Sequence, residues 1–107
     1  MATLNRVFLI GNLTKEVTLN GEVANTSLAI NEKYKDKEKV HYIDIVAFGK
    51  TASLLNTYCT KGSSILIDGK LDYQAWTTKD GTKKNSVKVI ANNIQFLSTN
   101  KKQEEEF

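Results

Sequence analysis

The chain has 107 residues, 40% of them hydrophobic and 25% charged, and 15 Lys plus Arg against 12 Asp plus Glu give a formal net charge of +3. That composition fits one domain with a modest core and excludes a disordered chain, while a single cysteine and a single histidine exclude an internal disulfide framework and a multi-cysteine zinc site and leave any nucleophilic triad dependent on His41 alone. No run reaches the ~18–20 apolar residues of a membrane span and the first residues lack a signal-peptide layout, so the expectation is a soluble module of a reducing compartment, with no membrane, metal, cofactor or catalytic role.

Period-two alternation, the pattern of half-buried strands, dominates the chain. A first strand is predicted over residues 6–10, ending at Gly11-Asn12. A turn at Asn20-Gly21 leads into a second strand over 23–30, with Ala24, Thr26, Leu28 and Ile30 on one face. The polar stretch 31–39 reads as a solvated loop or hairpin tip. A third strand over 40–48 sends His41, Ile43, Ile45 and Ala47 to one side and Tyr42, Asp44, Val46 and Phe48 to the other. One helix is predicted over 51–59, where Ala52, Leu55 and Tyr58 or Cys59 recur at helical spacing and Lys61-Gly62 supplies a stop. A fourth strand runs from Ser64 past Leu71 and Tyr73 toward Trp76, Asp80-Gly81 marks a hairpin, and residues 86–97 return as the fifth. Gly69 inside a strand marks a bulge or sharp bend. An all-β order of five strands, with one short helix between strands 3 and 4, is the layout of the Greek-key OB-fold barrel. Residues 1–98 are assigned to that domain and 99–107 to a short, flexible acidic tail.

Chemistry is to be looked for where aromatic and basic residues interleave. Tyr34 sits between Lys33 and Lys35, and Trp76 precedes Lys79, Lys83 and Lys84. Tyr42 and Phe48 share a strand face about 20 Å apart. A base stacked on an aromatic ring gains ~1–3 kcal/mol whatever its identity, while lysines neutralise the phosphates beside it. Two readings compete for these residues. Alternation alone makes Tyr42 and Phe48 core positions, and the charge-mixed stretch 32–39 a plain solvated hairpin, with Asp44 repelling phosphate nearby. Catalysis finds little material: Asp44, Asp68 and Asp72 have no base at a useful spacing, and His41 reads as a surface histidine with no carboxylate cluster beside it.

Five ordered blocks decide between the readings: residues 5–14 (NRVFLIGNLT), 23–29 (VANTSLA), 42–52 (YIDIVAFGKTA), 58–63 (YCTKGS) and 65–71 (ILIDGKL). Together they closely resemble the bacterial single-stranded DNA-binding protein family. The resemblance implies an OB-fold homotetramer in the bacterial cytoplasm, at the nucleoid, that binds and protects single-stranded DNA in replication, recombination and repair, without catalysis or cofactor. It implies stacking by Tyr34, Tyr42, Phe48 and Trp76, and phosphate contacts by Lys35, Lys50, Lys61 and Lys70, joined by Lys79, Lys83 and Lys84 of the last hairpin. It also gives the end of the chain a role: Glu104, Glu105, Glu106 and Phe107 resemble the acidic, Phe-ended tip with which relatives recruit other genome-maintenance proteins. A similar OB module of primosome assembly or protein interaction is the alternative.

Departures from the family pattern are a short tail without proline, Tyr in place of Trp at positions 34 and 42, and Ile43 where relatives often carry His. The modest net charge divides by region. Residues 1–103 hold 15 basic and 9 acidic side chains, a net of +6, and the three terminal glutamates remove three.

Overall fold

Alternating apolar and polar residues pair into six strands in the computed structural model, which describes residues 2–98. In chain order the elements are β1 (Val7–Leu13), β2 (Thr18–Asn20), β3 (Val23–Tyr34), β4 (Lys37–Phe48), α1 (Gly49–Tyr58), β5 (Ser64–Thr77) and β6 (Lys83–Ser98). The sheet order is β1-β5-β6-β4-β3-β2, and a further pairing of Asn12 and Leu13 with Ala29 and Leu28 joins β1 to β3. That pairing closes β1, β3, β4, β5 and β6 into a five-stranded barrel. Among the described strands only β4 and β6 run parallel. The helix falls between the third and fourth barrel strands, so the OB-fold expected from the sequence is the fold observed.

The barrel interior is filled by Leu28, Ile45, Ile65, Ile67 and Val89, all buried, and α1 adds Ala52 and Leu55. Burying each of the larger side chains contributes about 1.5–3 kcal/mol relative to exposure. Cys59, buried directly after the helix, packs in the same cluster.

Four details differ from the sequence expectation. First, β1 does not stop at Gly11 but continues through it. A Cβ there would stand 2.4 Å from the Ala29 carbonyl oxygen, so glycine is what lets β1 approach β3 and close the barrel. Second, β2 is an additional short strand paired with β3 through the turn at Gly21, whose φ is +67°. Third, the polar stretch 31–39 is ordered hairpin almost to its tip. Glu32 stands opposite Lys39 and Lys33 opposite Glu38, so opposite charges face each other across the ladder. Fourth, α1 covers Gly49–Tyr58, and extended backbone at Cys59, rather than Gly62, ends it.

Two hairpins outrun the barrel. The β3–β4 arm turns at Lys35-Asp36 and is exposed along residues 31–40. The β5–β6 arm turns over residues 78–82, where the Asp80 carboxylate accepts hydrogen bonds from the Thr78 hydroxyl and the Thr82 amide. Those bonds, the Thr78 hydroxyl foremost, hold the Asp80 carboxyl below the usual carboxylate range. The bulge expected at Gly69 is present: between Asp68 and Gly69 the register with β6 slips by one residue.

Candidate nucleic-acid interface

Residues directly opposite each other in a sheet project to the same side, so the strand registers define which side chains share a surface. On β4, Ile45 and Ala47 point into the barrel, while Tyr42, Asp44, Val46 and Phe48 point out. Tyr42 is 68% exposed and Phe48 51%, which removes the core reading of both. Val46 registers with Ile90 of β6, and Ile90 with Lys70 of β5. Farther along the same ribbon, Lys88 lies opposite Asp72 and Lys84 opposite Trp76, itself 47% exposed. Tyr42, Phe48, Lys70, Trp76, Lys84 and Lys88 therefore stand on one outer surface that runs across β4, β6 and β5. About half-exposed or more, these rings can stack planar ligands, and the ammonium groups among them can neutralise the anionic linkers.

Tyr34 lies elsewhere. It stands opposite Lys37, on the side of the β3–β4 ladder that carries Ile30 and His41, whereas Tyr42 is on the other side. At the tip Lys35 adopts φ +57°, a left-handed conformation that costs a non-glycine residue about 1–2 kcal/mol, and its Nζ lies 5.4 Å from the Tyr34 ring centroid.

The predicted phosphate contacts are also spread. Lys84 lies on the outer surface opposite Trp76, and Lys70 is on the same face six residues back along β5; Lys83, opposite Thr77, is on the reverse side of the arm, and Lys79 is in its turn. Lys50 is the second residue of α1, two positions after Phe48. Lys61 sits at the helix end of the barrel, its amide 3.4 Å from a Glu16 carboxylate oxygen, away from the strand faces that carry the rings. Glu104, Glu105, Glu106 and Phe107 lie outside the described residues.

Sequence reasoning passed over four features. Lys88 was hidden between two valines, although its place on the same face as Lys84 follows from simple alternation. His41 does have a carboxylate neighbour, because the hairpin brings the Glu32 carboxylate to 3.0 Å from its Nε2. Tyr73, 65% exposed, projects from the arm side opposite to Trp76. On β1 the outward Phe8 and Ile10 are 62% and 57% exposed; the signal was an apolar run on both strand faces. Arg6 lies 4.8 Å above the Phe8 ring and holds Asp68 through paired bonds of 3.1 and 3.0 Å. This contact keeps the Asp68 carboxyl below its ordinary range, so the pairing is present above pH ~4 and is lost as pH falls through the lowered value.

Among the described residues no group of three or more His, Cys, Asp or Glu side chains could hold a metal, and no helix is long and apolar enough to cross a membrane.

Residues 4–97 match the Single-strand binding protein family. A single-stranded DNA-binding protein of Wolinella succinogenes is 35% identical over 105 residues, 89% of this chain and 65% of the relative. That of Helicobacter pylori is 37% identical over 103 residues, 87% of this chain and 58% of the relative. Single-stranded DNA-binding protein 2 of Chlorobaculum tepidum is 34% identical over 117 residues, 99% of this chain and 79% of the relative. The chain thus spans less than two thirds of the length of the first two. Plasmodium falciparum SSB, solved in complex with ssDNA, superposes with a TM-score of 0.80 at 30% identity, covering 92% of this chain and 98% of that one.

Proposed function

The chain belongs to the single-strand binding protein family, a family of binding proteins rather than enzymes, and from that membership we propose that it binds single-stranded DNA without regard to base sequence. Bases stack on Tyr42, Phe48 and Trp76, and Lys70, Lys84 and Lys88 neutralise the phosphates between them. Tyr34 with Lys35 extends the path to the tip of the β3–β4 arm. Lys50, Lys79 and Lys83 complete the basic rim, and Lys61, at the helix end of the barrel, is a more distant phosphate contact. The observation that carries this reading is the exposure of Tyr42 and Phe48 on a lysine-bearing barrel surface, where their rings stabilise no core. Stacking on rings takes any base, which agrees with binding that tolerates any sequence. The test is a titration of labelled poly-dT at low salt beside duplex of equal length: tight binding of the single strand and much weaker binding of the duplex is expected, and equal binding of both would refute the reading.

Assembly as a homotetramer is part of the proposal. Phe8 and Ile10 give β1 an apolar outer face, and among the described residues that strand pairs between Val7 and Gly11 on one side only, with β5. An open edge beside exposed apolar side chains favours pairing with another copy. Native mass spectrometry is expected to find four copies, and a monomer at micromolar concentration would remove this part.

The cellular role follows: protection of single strands in replication, recombination and repair, in the cytoplasm at the nucleoid. Glu104, Glu105, Glu106 and Phe107 recruit genome-maintenance proteins, their charges steering toward a basic patch and Phe107 anchoring in it. Deleting residues 104–107 is expected to leave DNA affinity equal or slightly higher and to abolish partner capture; unchanged capture would overturn the docking role.

A further inference from the structure

The β5–β6 arm carries a second aromatic surface that the binding path above leaves unused. Tyr73 is 65% exposed and stands opposite Val87, which is 52% exposed, while Leu71, one place closer to the barrel on that face, is 48% exposed. All three point to the side of the ribbon that, nearer the barrel, buries Ile67 and Val89. Trp76 and Lys84 point to the other side. Near the end of the arm the two sides meet, because Tyr73, Trp76, Lys83 and Lys84 line one shallow groove. The ribbon therefore carries one ring and one ammonium group on each face, Tyr73 with Lys83 and Trp76 with Lys84, and all four residues border the same groove.

Charge selects the class of occupant. Residues 70–88 contain five lysines (Lys70, Lys79, Lys83, Lys84 and Lys88) and two acids. Both acids are engaged within the arm: Asp80 by Thr78 and Thr82, and Asp72 by the Gln74 side-chain amide at 3.0 Å. A groove bordered by Tyr73 and Trp76, with a net positive rim, suits an anionic chain of planar groups better than an apolar protein surface.

We propose that Tyr73 is a further base-stacking residue, and that the DNA strand turns around the β5–β6 arm from the Trp76–Lys84 face to the Tyr73–Lys83 face. This rests on the single-strand-binding reading above and adds a residue and a path to it. Wrapping both faces lets one arm engage two bases with no widening of the surface. Tyr73 needs only its ring, so phenylalanine serves in its place.

The experiment compares Tyr73→Ala, Tyr73→Phe and Trp76→Ala in the full chain, with poly-dT as probe. Tyr73→Ala is expected to weaken binding by about 5- to 150-fold, as for the loss of one stacked base, and Tyr73→Phe to stay near the unaltered protein. Fluorescence supplies an independent readout, because Trp76 is the chain's one tryptophan. In the doubly substituted Tyr73→Trp, Trp76→Phe protein, the relocated indole is expected to be quenched as poly-dT binds. Undiminished affinity of Tyr73→Ala while Trp76→Ala is weakened would overturn the proposal, as would an unquenched indole at position 73 on a protein that still binds. A changed subunit count with unchanged affinity would make the Tyr73 surface a contact between copies and overturn it too. If neither Tyr73→Ala nor Trp76→Ala alters binding, the failure lies in the whole stacking surface and Tyr73 falls with it.

Discussion

Replacing Tyr42 and Trp76 together by alanine is expected to weaken binding of single-stranded DNA by about 2–6 kcal/mol, the sum of ~1–3 kcal/mol for each lost stack. The two losses should add because the rings stand on different strands, β4 and β5, with β6 between them. Both rings are at least 47% exposed, so the folded state loses little, and thermal unfolding should shift by no more than the roughly ±0.5 kcal/mol of ordinary surface substitutions. Titrations across a salt series separate stacking from charge. The slope of log affinity against log salt should persist, because every lysine remains. Alanine at Lys70 and Lys84 should do the reverse, removing about one unit of slope for each phosphate contact. A flattened slope in the Tyr42, Trp76 variant would mean that these rings hold the lysine surface in place and take no base.

Gly69→Ala is expected to cost about 3 kcal/mol of stability. A Cβ at this position would lie 2.1 Å from the Ile90 carbonyl oxygen and 2.9 Å from its carbon, and backbone atoms cannot swing aside as a side-chain end can. The clash falls where β6 inserts an extra residue against β5, the bend that carries the ribbon from barrel to arm. Gly81→Ala is the matched control. Its φ is +89° but nothing stands within 4 Å of the added methyl group, so only the conformational penalty of about 1–2 kcal/mol applies. Unfolding of both variants at one fixed protein concentration, as assembly demands, decides the matter. Equal losses would show that Gly69 serves backbone conformation and not close packing.

How much was legible in the sequence depends on the range of the forces concerned. The two faces of β4 were legible because a strand's period of two is local, and Tyr42 and Phe48 fell on the outer face as their spacing required. So were the Asp80-Gly81 turn and the Gly69 bulge, where residue type reports backbone geometry directly. The Asn20-Gly21 turn was legible for the same reason, but β2 was not, since three residues are too few for a period to show. Whether the outer face of β4 was core or surface was not legible either. That depends on what the barrel places behind it, and α1 covers an end of the barrel instead. The charged run 31–39 looked like a loop because no apolar residue marks an interior there; only the register, with Glu32 facing Lys39, turns it into a ladder. Lys35 gave no warning of its positive φ, a place usually held by glycine or asparagine. Tyr73 was misleading for a related reason. Its strand parity is that of the core residues Ile65 and Ile67, and the ribbon has left the barrel by the time it reaches Tyr73.

The central claim is that exposed rings and lysines on this barrel take up single strands of any sequence. Titrating the protein with poly-dT while following the emission of Trp76 tests both halves at once, run at several salt concentrations and against duplex of the same length. The account predicts saturable quenching by poly-dT, an affinity that falls linearly with salt on logarithmic axes, and far weaker binding of duplex. Absence of binding to the single strand at low salt, or equal affinity for the duplex, would contradict it.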